Sequence, residues 1–204
     1  MKIFVIGMPE SGRTTVAKEL CQLKNHLYID ASSWTKSTFR DQLPNEHDQQ
    51  YQDELHYWIN NRIKLDPNLI ISNVNNSING YNWESKSSDL VFVIDGISSP
   101  RDFISLFDFN KDLVVFLNRT GNQSEYKDYE SIGVSVMRDY CFWLASADLI
   151  SKENWHEYNF SIPGEDSDWI KPLGHKNSVF IVKSINRVIS HLKEKLFNLQ
   201  APQS

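Results

Sequence analysis

Residues 7 to 15 read Gly-Met-Pro-Glu-Ser-Gly-Arg-Thr-Thr and directly follow the apolar run Ile3-Phe4-Val5-Ile6. Two glycines at this spacing let a loop turn its backbone N–H groups onto an anion, and a helix starting where the loop ends adds positive potential. The pattern is G-x-x-x-x-G-[K]-[ST] with arginine in the lysine place. Gly7, Met8, Pro9, Glu10, Ser11, Gly12, Arg13, Thr14 and Thr15 are therefore the expected cradle for the phosphates of a nucleotide, and Thr14 stands where a hydroxyl ligand for magnesium is expected. Arg13 is a departure. Lysine is a compact point charge, whereas a guanidinium is longer, planar and suited to bidentate contacts, so binding is expected to survive better than turnover. Glu10 is a second departure: a carboxylate among bound anions is costly unless it turns outward, and it is expected to point away from the phosphates.

Phosphate chemistry needs further groups. Leu90-Val91-Phe92-Val93-Ile94 is an apolar strand ending in Asp95-Gly96, and Asp95 either supports magnesium through water or caps the next helix. Asp30 ends the shorter run Leu27-Tyr28-Ile29; it orients or deprotonates an acceptor hydroxyl, or caps a helix starting near Ser32 or Ser33. Of the seven arginines, Arg119 follows the strand Leu113 to Leu117, and the polar stretch Asn118 to Gly133 has the composition of a lid. Arg138 lies just beyond. Closure would bring both guanidiniums to a transferring phosphate; the alternative for each is a surface charge.

These residues must be positioned by alternating strands and helices, which favours an α/β layer architecture. Expected strands are Lys2 to Ile6, Leu27 to Ile29, Leu90 to Ile94, Leu113 to Leu117 and, less clearly marked, Tyr158 to Ile162. Helical spacing of apolar residues is found in Thr14 to Lys24 and in Asp48 to Leu65. Asp66-Pro67 supplies a cap and a first-turn proline for a helix over Leu69 to Asn79, although Leu69-Ile70-Ile71 also suits a strand. Val179 to Leu199 carries Val182, Ile185, Ile189, Leu192 and Leu196, the pattern of a long amphipathic helix. The stretch from Asn154 to Gly174 fits no motif and reads as an insertion over the site or a partner surface.

A chain of 204 residues with 40% hydrophobic and 23% charged residues suits one globular domain with a substantial core. No apolar stretch approaches a membrane span and the N-terminal apolar run is too short for a secretory signal, so a cytoplasmic location is expected. Cys21 and Cys141 have neither zinc spacing nor a disulfide framework and read as packed helix residues. His47 and His56 lack the spacing of a helical zinc site. A net charge of −5 argues against long nucleic acid as a partner, though not against a strand end.

The loop GMPESGRTT, the strand ends at Asp30 and VFVIDG, the strand DLVVFLNRT and the lid-like segment before a C-terminal helix resemble the P-loop nucleoside monophosphate kinases, specifically the small adenylate-kinase-related and phage deoxynucleotide-kinase-like proteins. The resemblance implies a three-layer α/β/α P-loop NTPase fold with a mostly parallel sheet of about five strands. It also implies a helical acceptor-binding insertion over residues 31–88, a lid over 118–140, and an unassigned insertion over 154–174. The implied activity is magnesium-dependent transfer of the γ-phosphate of ATP to a nucleotide-like, small-molecule acceptor, with Asp30, Arg40 and Arg62 on the acceptor side. Trp34, Tyr51 and Trp58 either stack on its base or belong to a core. Relatives often have an arginine soon after the Asp-Gly block; here Ser98 occupies that place, and Arg101 substitutes or the acceptor differs. Two other readings compete: a kinase for a hydroxyl on a polynucleotide, modified base or metabolite, and a nucleotide-binding scaffold without rapid transfer.

Overall fold

The computed structural model describes residues 1–8, 11–33, 57–58, 61–85, 89–119, 129–151, 153–160, 170–172, 178–182 and 184–200. Pro9, Glu10, Trp34, Arg40, Tyr51 and residues 120–128 lie outside the described residues, as does most of the helix expected over Asp48 to Leu65. The strands are β1 (Lys2–Gly7), β2 (His26–Asp30), β3 (Val91–Asp95), β4 (Leu113–Arg119), β5 (Trp155–Phe160), β6 (Ile170–Pro172) and β7 (Val179–Val182). The helices that carry labels below are α1 (Arg13–Leu20), α2 (Leu69–Ser85), α3 (Pro100–Leu106), α4 (Tyr129–Ser146) and α5 (Ile185–Gln200).

The strands form one sheet in the order β2-β3-β1-β4-β5-β7-β6. Its parallel part has six strands rather than about five, and β6 adds an antiparallel seventh against β7. The central strand β1 is paired on both sides, Ile3 opposite Val93 of β3 and opposite Leu113 of β4. Such strands are covered on both faces, which is why they read as continuous apolar runs rather than alternating ones. Ile3, Val5, Val91, Val93, Leu113, Val115 and Leu117 share a core with Val16, Ala17 and Leu20 of α1 and Val188, Leu192 and Leu196 of α5. Residues of opposite parity face the other way. There Phe4 meets Phe103 and Phe107 edge-on at 5.4 and 5.7 Å, while Met137, Cys141 and Leu144 of α4 are also buried.

Local chemistry sets the element boundaries. Ser99 caps α3, its hydroxyl accepting from the Asp102 amide at 3.3 Å, and Pro100 takes the first helical position. On α4, a Cβ at Gly133 would run into the Ser98 carbonyl oxygen, so only glycine lets this helix lie against the loop after β3.

The C-terminal expectation needs correction. Val179 to Val182 is not the start of the last helix but strand β7, parallel to β5 with Tyr158 opposite Phe180. Ser184 starts the helix instead: its hydroxyl accepts from the Arg187 amide at 3.4 Å and its carbonyl from Val188 at 3.4 Å. The stretch from Asn154 to Gly174 likewise supplies β5 and β6, and β5 begins at Trp155 rather than Tyr158.

By its internal contacts the chain divides into two compact units, Met1–Tyr28 with Asp89–Ser204, and Ile29–Ser88. In the second unit residues 61–65 are helical, Asp66 Oδ1 accepts from the Asn68 amide at 3.1 Å, and α2 follows with Ile70 and Val74 buried. This helix runs to Ser85, beyond the expected Asn79.

Candidate active site

The sheet delivers the first strand into the glycine loop. Past Gly7, the Ser11 amide donates to the Met8 carbonyl at 3.1 Å, and Gly12 takes φ of +88° before α1 begins at Arg13. That left-handed backbone suits glycine, and a Cβ there would also strike the Ile185 side chain of α5. At Gly7 a Cβ would meet the Ser11 hydroxyl and lie 2.9 Å from the Leu117 carbonyl oxygen. Gly7 is thus required by space, against the Leu117 backbone, and Gly12 by its left-handed turn. The Ser11 hydroxyl, on a residue 1% exposed, has no hydrogen-bond partner among the described residues.

Asp95, at the tip of β3 and 3% exposed, gathers the site's donors. Its Oδ2 accepts from the Thr14 hydroxyl at 2.6 Å and from the Tyr28 hydroxyl at 3.2 Å. Its Oδ1 accepts from the Gly96 amide at 2.7 Å and lies 3.5 Å from the Arg13 Nε. Arg13 also donates through a terminal nitrogen to the Gly7 carbonyl at 3.1 Å. Because Thr14 gives its hydrogen to Asp95, its oxygen lone pairs stay available to a cation. This hard hydroxyl, backed by a fixed carboxylate, suits magnesium. Among the described residues no group of three His, Cys, Asp or Glu side chains is placed to hold a metal alone.

The other expected residues are spread more widely. Asp30 lies in the second unit, where its Oδ1 accepts from the Ser32 amide at 2.9 Å and the Ser32 hydroxyl at 2.7 Å, the arrangement of a turn cap. In the same unit the Arg62 guanidinium stands 5.1 Å from the centre of the Trp58 ring. Arg101 sits exposed in the first turn of α3, and Arg119 closes β4. Arg138 is on α4, 3.0 Å from Oε1 of Glu157, a β5 carboxylate that is 2% exposed. From residue 129 the segment expected as a lid is the helix α4, whose Val134 and Met137 are buried.

Tyr28 escaped the sequence reading. A tyrosine in a short apolar strand gives no sign that its hydroxyl will meet a carboxylate 67 positions away. Burial pushes the Cys21 thiol up to about 11 and Cys141 up to about 12, so neither is a ready nucleophile. A separate titratable cluster lies between β5, β7 and α5. His156, 1% exposed, has Nε2 3.4 Å from the Lys195 ammonium, and the Tyr158 hydroxyl lies 3.0 Å from Nδ1 of His191. Burial first, then the charges of Lys195 and His191, lower His156 to about 3.

No protein family matches the chain, and no curated protein matches it. Among solved structures the chain is similar to a thymidylate kinase from Ehrlichia chaffeensis, at 12% identity over 96% of this chain and 98% of that one, with a TM-score of 0.43. It is also similar to a protein from Chloroflexus aurantiacus provisionally assigned as a kinase, at 13% identity over 97% and 96% of the two chains, with a TM-score of 0.40. The geometry by itself gives an α/β sheet whose central strand β1 leads through a glycine-bounded loop into α1. Among the described residues no helix is long and apolar enough to cross a membrane.

Proposed function

We propose that the protein is an ATP- and magnesium-dependent phosphotransferase that moves the γ-phosphate to a nucleotide-like acceptor, a nucleoside or deoxynucleoside monophosphate. One observation carries this reading: the 2.6 Å hydrogen bond from Thr14, in the first turn after the glycine loop, to Asp95 at the tip of the neighbouring buried strand. The loop from Gly7 to Thr15 receives the donor phosphates, with Arg13 as their nearest cation. Thr14 and Asp95 would hold magnesium, which when bound shields the charge on the phosphate oxygens. Arg119 is assigned to the transferring phosphate. Arg138, engaged with Glu157, is not. Asp30, Arg40, Arg62 and Arg101 are assigned to the acceptor.

The test is thermal stability of the purified protein against ATP with and without magnesium, then against a panel of nucleoside monophosphates. A magnesium-dependent rise with ATP and a further rise with one monophosphate support the reading and name the acceptor. No shift with any nucleotide overturns it.

A second reading, a nucleotide-binding protein without rapid transfer, is favoured by the engagement of Arg13 with Gly7 of its own loop and with Asp95 at the tip of β3. Transfer of labelled phosphate from ATP to monophosphates separates the two: binding without transfer selects the second.

A further inference from the structure

Three hydrogen bonds, from Thr14, Tyr28 and Gly96, and the Arg13 guanidinium at 3.5 Å converge on the buried carboxylate of Asp95, and of these four groups only Arg13 carries charge. A carboxylate that is 3% exposed depends on such a counter-charge, because removing one partner of a buried pair leaves the other uncompensated. The same guanidinium is anchored at its other end by the Gly7 carbonyl, 3.1 Å away. A planar fork can hold two acceptors at once, which a lysine ammonium on its flexible stem does less readily. In this chain, therefore, the cation that phosphates in the loop would attract is already committed to Asp95.

We propose that Arg13 is shared between Asp95 and the nucleotide, so that nucleotide and magnesium bind cooperatively through this exchange. Phosphates entering the loop draw Arg13 off Asp95, and Asp95 then requires the positive charge of a divalent cation held at Thr14. Nucleotide without metal leaves either the phosphates or Asp95 without a counter-charge. Nucleotide with metal leaves neither. The inference rests on the nucleotide-binding reading given above and adds what regulates that site.

The test is calorimetric titration of the full chain with the imido analogue of ATP, which resists transfer of its terminal phosphate, in magnesium and in EDTA. Binding alone is read. In the natural chain magnesium tightens binding by about 30-fold or more, within the usual range of coupling between sites. Asp95→Asn frees Arg13, so metal-free binding tightens by about tenfold and the magnesium factor falls to about threefold or less. In an Arg13→Met background the same Asp95→Asn change leaves metal-free binding within about twofold, because the exchanged group is gone.

Metal-free affinity that does not rise in Asp95→Asn overturns the inference. So does a rise that persists without Arg13, since that is a general effect of removing charge. Should Asp95→Asn fail to fold, Arg13→Lys decides: it must raise metal-free affinity and reduce the magnesium factor, and failure to do so also overturns the inference. No binding of the analogue by any folded variant removes the nucleotide reading itself, and the inference with it.

Discussion

Thr14 and Tyr28 both give a hydrogen to Oδ2 of Asp95, yet only Thr14 lies in the helical turn that follows the glycine loop. Thr14→Val takes away the shorter bond and the metal-facing oxygen together. Thermal melts should show a loss of about 0.5–1.5 kcal/mol in the unliganded protein and no magnesium-dependent rise with nucleotide. Tyr28→Phe removes one neutral donor and keeps the ring. It should cost a similar 0.5–1.5 kcal/mol, roughly, in urea unfolding, while a reduced magnesium-dependent rise remains. A magnesium response unchanged in Tyr28→Phe would make Tyr28 a packing residue and no more. At this scale the legibility of the sequence was uneven. Gly7, Gly12, Thr14 and Asp95 announce themselves because their chemistry depends on residue type and short-range spacing. The engagement of Arg13 with Asp95 does not, because it depends on which strand tip the sheet order places beside the loop.

Elements fix what charged side chains are for. Arg138 carries the residue type of a lid arginine, but α4 holds it against Glu157, a carboxylate with 2% exposure. Arg138→Ala should lower stability by about 1–3 kcal/mol, less than for a fully buried pair because the Arg138 side chain is 45% exposed. Adding Glu157→Gln should recover part of that loss in the same urea titration, and nucleotide affinity should not move. Gly133→Ala puts a methyl group against a backbone carbonyl that cannot swing aside, so α4 must shift and stability should fall by about 1–3 kcal/mol. Near-normal unfolding of that variant would show that the Ser98 loop yields.

The last helix shows why a legible pattern can mislead. Val182, Ile185, Ile189, Leu192 and Leu196 keep helical spacing straight through a boundary, since a strand and the helix after it bury residues toward one core. The signals that break the tie are the β-branched and aromatic run Val179-Phe180-Ile181-Val182 and Ser184 as a cap.

At the scale of the whole molecule, the burial of His156 becomes a dependence of folding on pH. Its folded-state value of about 3 lies below the ordinary 6.5, so as pH falls below 6.5 the unfolded chain takes up a proton that the folded chain refuses. Stability from this group is complete above pH 6.5 and declines by up to about 1.4 kcal/mol per pH unit toward pH 3. His191 and His26, also lowered mainly by burial, add to the same trend. Urea unfolding of His156→Gln between pH 7 and pH 4 should show a shallower decline than the natural chain; equal slopes would refute the assignment. None of this was visible beforehand. Histidines scattered along a sequence carry no mark of which will be enclosed between β5, β7 and α5.

The central place of β1 has a consequence in time. Ile3 is paired with Val93 and Leu113, so the strand that forms the middle of the sheet is made first and its partners come about ninety or more residues later. At ribosomal rates of roughly 5–20 residues per second, the run Lys-Ile-Phe-Val-Ile-Gly waits about 5–20 s without its neighbours. A nascent chain of this kind exposes this apolar central strand longest. Its yield in a cell should therefore follow the supply of chaperones that shield such a segment as much as the stability of the finished fold.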